Sequence, residues 1–244
     1  MYELFIILIL TPLLASLSEL VYSFASKNKI SNPLEVYSNL FRDLKSDSGA
    51  DAILPFGALA LSAVVMAALV LFNIDSNLDF LIFAFLLLVA RFCYTFAVCS
   101  DLHSDFTKFT AFIMTAVGLF VYVKEPVFET LMTIRDVNQF IPWFVSLIFL
   151  LASVYDVPFD MQNICSQDMA FFNYSRMLTA NLFIAVCALM FYSGNIFLFV
   201  LFLIVGAFVS GLFKVLYRKF SLQYNWCVII FSILFFSLVL LSSH

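Results

Sequence analysis

The chain has 244 residues, of which 64% are hydrophobic and 11% charged, and a formal net charge of −4. Soluble domains carry roughly a quarter of their residues as Asp, Glu, Lys and Arg, so this composition excludes a soluble globular domain and reads as a membrane protein. The same sequence holds no glycine-rich phosphate loop, no HExxH and no concentrated basic patch for nucleic acid, and only His103 and His244 are available to any Ser/His/Asp set.

A hydrocarbon core about 30 Å thick needs about 20 apolar residues per crossing helix. Apolar runs between polar clusters predict an all-α, polytopic fold in one transmembrane domain over 1–244, with eight spans near 4–25, 52–73, 78–99, 106–123, 140–155, 177–193, 195–217 and 223–242. The opening "MYELFIILIL" lacks the basic start of a secretory signal and carries Glu3, so it reads as a retained first span. After it, "NPLEVYSNLFRDLKS" places Leu34, Tyr37, Leu40, Phe41 and Leu44 at helical spacing, with Glu35, Asn39, Arg42 and Asp43 between them. That pattern predicts an amphipathic cytoplasmic helix near 33–45, lying on headgroups or packed against a soluble partner. The second span presents Ala58, Ser62, Ala63 and Ala67, and the seventh Gly206 and Ser210, faces small enough for helix backbones to approach.

The third span contains Arg91, about 13 residues and roughly 20 Å along its helix. A charge there is costly unless it snorkels to the interface or faces a polar cavity. For the second case the candidate partners are Asp101, Asp105, Asp156 and Asp160, expected at the same face of the membrane. His103, between Asp101 and Asp105, is either a titrating group or an ordinary loop histidine. The fourth, fifth and sixth spans are short. Beyond the fifth, Pro158 stops the helix from running on, and Asp156, Asp160, Asp168, Asn163, Gln167 and Asn173 alternate with Phe159, Phe171, Phe172 and Tyr174. This connection, near 156–176, is either an ordinary loop or the lining of a cavity at the membrane surface.

The basic residues set the orientation. With Met1 outside, Lys27, Lys29, Arg42, Lys45, Lys108, Arg176, Lys214, Arg218 and Lys219 fall on the cytoplasmic side, and only Lys124 and Arg135 outside. Both termini are therefore expected on the non-cytoplasmic side. Glu19 falls near the cytoplasmic end of the first span, reaching the interface or facing the bundle. Cys93, Cys99, Cys165, Cys187 and Cys227 form no CxxC pair and read as small buried apolar side chains, so no metal is expected.

Three stretches in order, "NPLEVYSNLFRDLKS", "ARFCYTFAVCSDLHSDFT" and "DVPFDMQNICSQDM" with "NYSR" following, together with eight spans and outside termini, resemble the H-type membrane subunit of respiratory complex I (NADH–quinone oxidoreductase). The Ala-Arg-Phe start of the second stretch is similar to the branch found in membrane-bound hydrogenases such as formate hydrogenlyase. The likeness covers most of the chain in topology and about 50 residues in motif. It implies a subunit of the bacterial or organellar inner membrane that anchors soluble redox subunits and contributes to ion translocation or quinone access. By the same resemblance Pro158, Phe159 and Asp160 belong to a docking loop, Arg91 to an intramembrane polar system, and Tyr37 and Arg42 to the surface helix. No cofactor is expected on this chain itself, and quinone is the small molecule the resemblance would admit. Where the family carries several glutamates after Pro-Phe-Asp, this chain has Asn163, Cys165, Gln167 and Asn173 with the single acid Asp168, and Ile113 and Met114 stand where an Arg-Glu pair is common. A carboxamide cannot carry a proton, so the scaffold role is implied more directly than transport.

Two other classes fit the residues: a stand-alone transporter of a small solute or ion, and a membrane scaffold without transport. A transporter commonly shows internal repeats or Gly- and Pro-broken spans. No repeat is visible, and the chain has 6 Gly.

Overall fold

The computed structural model describes residues 2–26, 35–45, 56–73, 79–98, 110–111, 113–115, 117–118, 121, 140–154, 166–191 and 195–242. Among them there is no strand. The helices with defined bounds are α1 (Tyr2–Ala25), α2 (Glu35–Lys45), α3 (Phe56–Asn73), α4 (Asp79–Val98), α5 (Phe140–Ala152), α6 (Ser166–Met190), α7 (Ile196–Lys219) and α8 (Ser221–Ser242). Helical residues also occur between 110 and 121. Among the described residues, three helices are long and apolar enough to cross a membrane: Tyr2–Ala25, Ile196–Lys219 and Leu222–Leu241. Phe56–Phe72, Leu81–Tyr94 and Phe140–Ala152 are shorter apolar helices.

The bundle is organised around α6, which packs against α1, α2, α3, α4, α5 and α7. Every residue from Ala180 to Met190 is buried, as expected of a helix that is apolar all round and has neighbours on every side. α3 packs on both α4 and α6, and its buried Ala60, Ala63, Ala67 and Ala68 leave room for those backbones to come close. Rings fill the wider gaps: Phe149 of α5 stacks on Phe183 of α6, and Phe72 of α3 meets Phe199 of α7 edge-on.

Pairwise contacts fix the helix directions. α1 and α7 run parallel: Gly211 backs onto the Ser18 carbonyl and Val21, and further along Arg218 meets Tyr22. α5 also runs parallel to α7, with Leu150 near Gly206 and the Ser153 hydroxyl 3.0 Å from that of Ser210. α6 is antiparallel to α7, since Ile184 lies against Gly206 and Phe191 against Phe202. Along α8, Ser232 lies beside Thr115 and Phe235 beside Gly118, so the helical residues of 110–121 run parallel to α8.

Two boundaries differ from the sequence expectation. The sixth helix begins at Ser166, so residues 166–176, assigned by polarity to the connection, form its first turns. Neither Pro nor Gly interrupts the run, so the helix is free to start there despite the polar residues. The seventh helix continues to Lys219, and only Phe220 separates it from α8. The Phe220 N–H still donates to the Leu216 carbonyl at 2.9 Å, while the Phe220 carbonyl accepts from the Tyr224 N–H at 2.8 Å, so the chain turns with little loss of backbone bonding. At the other end of α7, Asn195 caps the helix by accepting from the Phe197 N–H at 3.0 Å.

Candidate functional site

Within two turns of the end of α1 and of α7, the parallel packing brings Glu19 and Lys214 together. The Lys214 ammonium donates to Glu19 Oε1, with 2% and 19% of the two side chains exposed. A carboxylate and an ammonium removed from water in this way each lose several kcal/mol of hydration, which their mutual attraction must offset. The close approach needed for the pair is set by Gly211, where a Cβ would come within 2.6 Å of the Ser18 carbonyl oxygen. One turn further on, Arg218 donates to the Tyr22 hydroxyl at 2.9 Å, and both Arg218 and Lys214 lie near the Tyr22 ring, 4.7 and 5.8 Å from its centroid. Glu19, Lys214, Tyr22 and Arg218 thus form a charged ladder along the α1–α7 seam.

α1 carries a second polar feature at Pro12. Proline has no N–H, so the Leu8 carbonyl loses its intrahelical donor. The Tyr174 hydroxyl of α6 donates to that carbonyl at 2.7 Å. Beside it, Asn181 Nδ2 donates to the Thr11 carbonyl at 3.1 Å, and the Thr11 and Ser16 hydroxyls bond back to the Ile7 and Pro12 carbonyls. The broken helix is therefore satisfied from a neighbouring helix and from its own hydroxyls, the arrangement that lets proline persist in an apolar environment.

Arg91, on α4, has a buried aromatic neighbour, and the aspartates that the sequence offered as its partners lie outside the described residues. Its guanidinium carbon lies 5.2 Å from the centroid of the buried Tyr94 ring, and that of Arg176 on α6 lies 4.7 Å from the same centroid. Phe172 of α6 packs edge-on against Tyr94 at 5.7 Å.

Of the other residues singled out by sequence, Asp101, Asp105, Asp156, Pro158, Phe159, Asp160 and His103 lie outside the described residues. Asp168 falls in the first turn of α6, Tyr37 falls within α2, and Arg42 is exposed on α2. The apolar side of α2 is only partly covered: Phe41 and Leu44 are exposed. Cys187 is buried, Cys93 half-buried and Cys227 exposed on α8, a position that residue type does not predict. Among the described residues no three His, Cys, Asp or Glu side chains gather as metal ligands. Sequence reasoning did not pair Glu19 with Lys214. The available signal was that an acid and a base sit at matching distances from the ends of two spans assigned the same direction.

No family model and no curated protein matches this chain. What the arrangement can do rests on its chemistry. A buried ammonium–carboxylate pair flanked by a tyrosine and an arginine can hold a charge, exchange a proton between acid and base, or bind a passing ion in place of one partner.

Proposed function

We propose that the chain is an eight-span subunit of the bacterial or organellar inner membrane, with both termini outside. In this reading it anchors soluble redox subunits of a complex I-like or membrane-bound hydrogenase-like oxidoreductase at the cytoplasmic face. It also contributes an ion passage or quinone access along the α1–α7 seam. The observation that carries the passage is the burial of Glu19 and Lys214 between two helices of membrane-crossing length, because intramembrane ionisable pairs are expensive and mark ion routes by default. Helix directions at α7 support the topology: α1 and α5, assigned like α7 as outward-to-inward spans, run parallel to it, and α6 is antiparallel to it, although the Tyr174–Leu8 and Asn181–Thr11 bonds run in the same sense along α6 and α1. The order of the three motifs supports the family. The ladder's cations Lys214 and Arg218 stand at the end that the basic-residue count makes cytoplasmic.

The test is gentle solubilisation of native membranes, followed by identification of co-purifying chains and measurement of coupled ion movement in Glu19→Gln and Arg91→Leu strains. Co-purifying iron–sulfur or hydrogenase-type subunits, with coupling lost in Glu19→Gln and assembly or coupling disturbed in Arg91→Leu, are the expected result. A chain that purifies alone, with ion movement indifferent to Glu19, would remove the reading.

A second reading is a stand-alone small-solute or ion transporter, with the proline in α1 freeing the Leu8 carbonyl from its backbone donor. Flux through liposomes containing only this chain separates it from the first. A scaffold without transport would show neither flux nor coupling.

A further inference from the structure

We infer that Tyr22 of α1, latched by Arg218 of α7, is a gate that closes the α1–α7 seam between the Glu19–Lys214 pair and the water at the ends of the two helices. The inference deepens the passage proposed above and rests on it. Burial sets the place of the gate. The residues one turn to either side of Glu19 on its own helix, Ala15, Ser16, Tyr22 and Ser23, are buried, and so are Ser210, Gly211 and Tyr217 around Lys214. The 19% of the Glu19 side chain that stays exposed is thus hemmed in along α1. Beyond these residues Phe24, Ala25 and Arg218 are exposed, so the boundary between the dry seam and its open end runs through the Tyr22 ring.

The latch has two parts. The Arg218 guanidinium donates to the Tyr22 hydroxyl at 2.9 Å and stands 4.7 Å from the centroid of its ring, while the buried Lys214 ammonium lies 5.8 Å from the same centroid. A charge-assisted hydrogen bond and a cation–π contact therefore hold one ring by its hydroxyl and its π-system, next to the cation of the ion pair. Unlike Lys214, Arg218 reaches water, so it can exchange the hydroxyl for solvent without the desolvation cost of a buried charge. Released, Tyr22 can turn to another staggered χ1 well and uncover the pair. Closed, the gate leaves Glu19 and Lys214 to attract each other in a dry setting; open, it lets water and an ion reach Glu19. The open state is a local opening of one side chain, with a population set by the strength of the latch.

The test is the rate at which a thiol behind the gate reacts with the small neutral reagent methyl methanethiosulfonate, in the full chain purified in mild detergent. Ser18→Cys, in a chain freed of its native cysteines, places the thiol one turn before Tyr22 at a buried position of α1; Ser210→Cys, one turn before Lys214 on α7, serves if the first does not fold. Tyr22→Phe keeps the ring and loses the acceptor, and Arg218→Met keeps the stem and loses the donor. Each is expected to raise the rate about tenfold, and the two together to go little beyond Arg218→Met alone, because they remove the same bond. Lys219→Gln removes the neighbouring exposed cation, which stands by the Phe220 ring at 5.3 Å, and is expected to leave the rate unchanged. In a chain that keeps Cys187 alone, buried in α6, the latch variants are expected to change nothing. Equal rates in parent and latch variants, additive increases, an equal rise in Lys219→Gln, or an equal rise at Cys187 from general loosening would each overturn the gate. Ion movement lost in Glu19→Gln while thiol access ignores the latch removes the gate and leaves the passage. Access that follows the latch while ion movement is indifferent to Glu19 removes the passage instead, so the two proposals fail separately.

Discussion

Lys214 of α7 donates to Glu19 of α1 from a position where 2% of its side chain is exposed. Such a pair is informative through its asymmetry. Removing one partner strands a buried charge, whereas removing both strands none. Lys214→Met and Glu19→Gln are each expected to cost about 3–5 kcal/mol of stability at neutral pH, and the double variant to recover most of the loss. Thermal unfolding in detergent across this four-member cycle measures the coupling. Additive losses in the double variant would show that the two groups do not act as a pair.

Tyr174 and Pro12 form a second cycle with a different logic. Tyr174→Phe leaves the Leu8 carbonyl, already deprived of its backbone donor by Pro12, without the hydroxyl of α6. The expected cost is about 1–3 kcal/mol. In a Pro12→Ala background the restored backbone N–H at position 12 reaches that carbonyl, so Tyr174→Phe should then cost about 1 kcal/mol less than in the parent. An unchanged cost in the two backgrounds would detach the tyrosine from the proline.

Gly211→Ala tests the backbone contact that sets the ion pair. Alanine is favoured over glycine within a helix by about 1 kcal/mol, so an unobstructed site would be stabilised. Here the new methyl meets the Ser18 carbonyl oxygen at 2.6 Å and Val21 Cβ at 2.8 Å, and backbone cannot rotate away as a side chain can. The net effect is expected to be destabilising by about 1–3 kcal/mol, with a weaker Glu19–Lys214 coupling in the same background. Gly118→Ala is the comparison: its nearest neighbour is the Phe235 side chain at 3.0 Å, so a smaller cost is expected in unfolding midpoints measured side by side.

The topology has its own check. The nine-to-two division of Lys and Arg between the two sides predicts that the chain ends before α1 and after α8 lie outside. Single cysteines placed near each terminus, in a chain freed of Cys93, Cys99, Cys165, Cys187 and Cys227, should react with a membrane-impermeant maleimide added to intact cells. A cysteine in the α7–α8 turn at Phe220 should react only after permeabilisation. The opposite pattern would invert the topology.

Hydropathy carried most of the helix positions, because a helix in an apolar setting needs a long uninterrupted apolar run and such runs are visible directly. It failed at the start of α6. There Gln167, Asp168 and Asn173 made residues 166–176 read as a connection, although polar residues that are neither Pro nor Gly do not end a helix. Arg91 was visible as a charge out of place, but its neighbours were not: Tyr94 sits one turn away on α4, whereas Arg176 and Phe172 come from a helix far along the chain. The Glu19–Lys214 pair stayed hidden for the same reason. Lys214 counted among the cytoplasmic charges and Glu19 was left reaching the interface or facing the bundle, and only the parallel packing of α1 on α7, enforced at Gly211, makes them partners. Pro12 drew no expectation from the sequence, and its partner Tyr174 depends on how α6 crosses α1.

Whether the α1–α7 seam carries ions within a redox assembly is decided most sharply by proton or sodium movement driven by substrate oxidation in membranes carrying Glu19→Gln, alongside identification of the chains that remain bound to the variant after mild extraction. The expected result is an assembled multisubunit oxidoreductase that still passes electrons but moves markedly fewer ions. Full ion movement with Glu19 neutralised, or a chain extracted without any redox subunit, would contradict it.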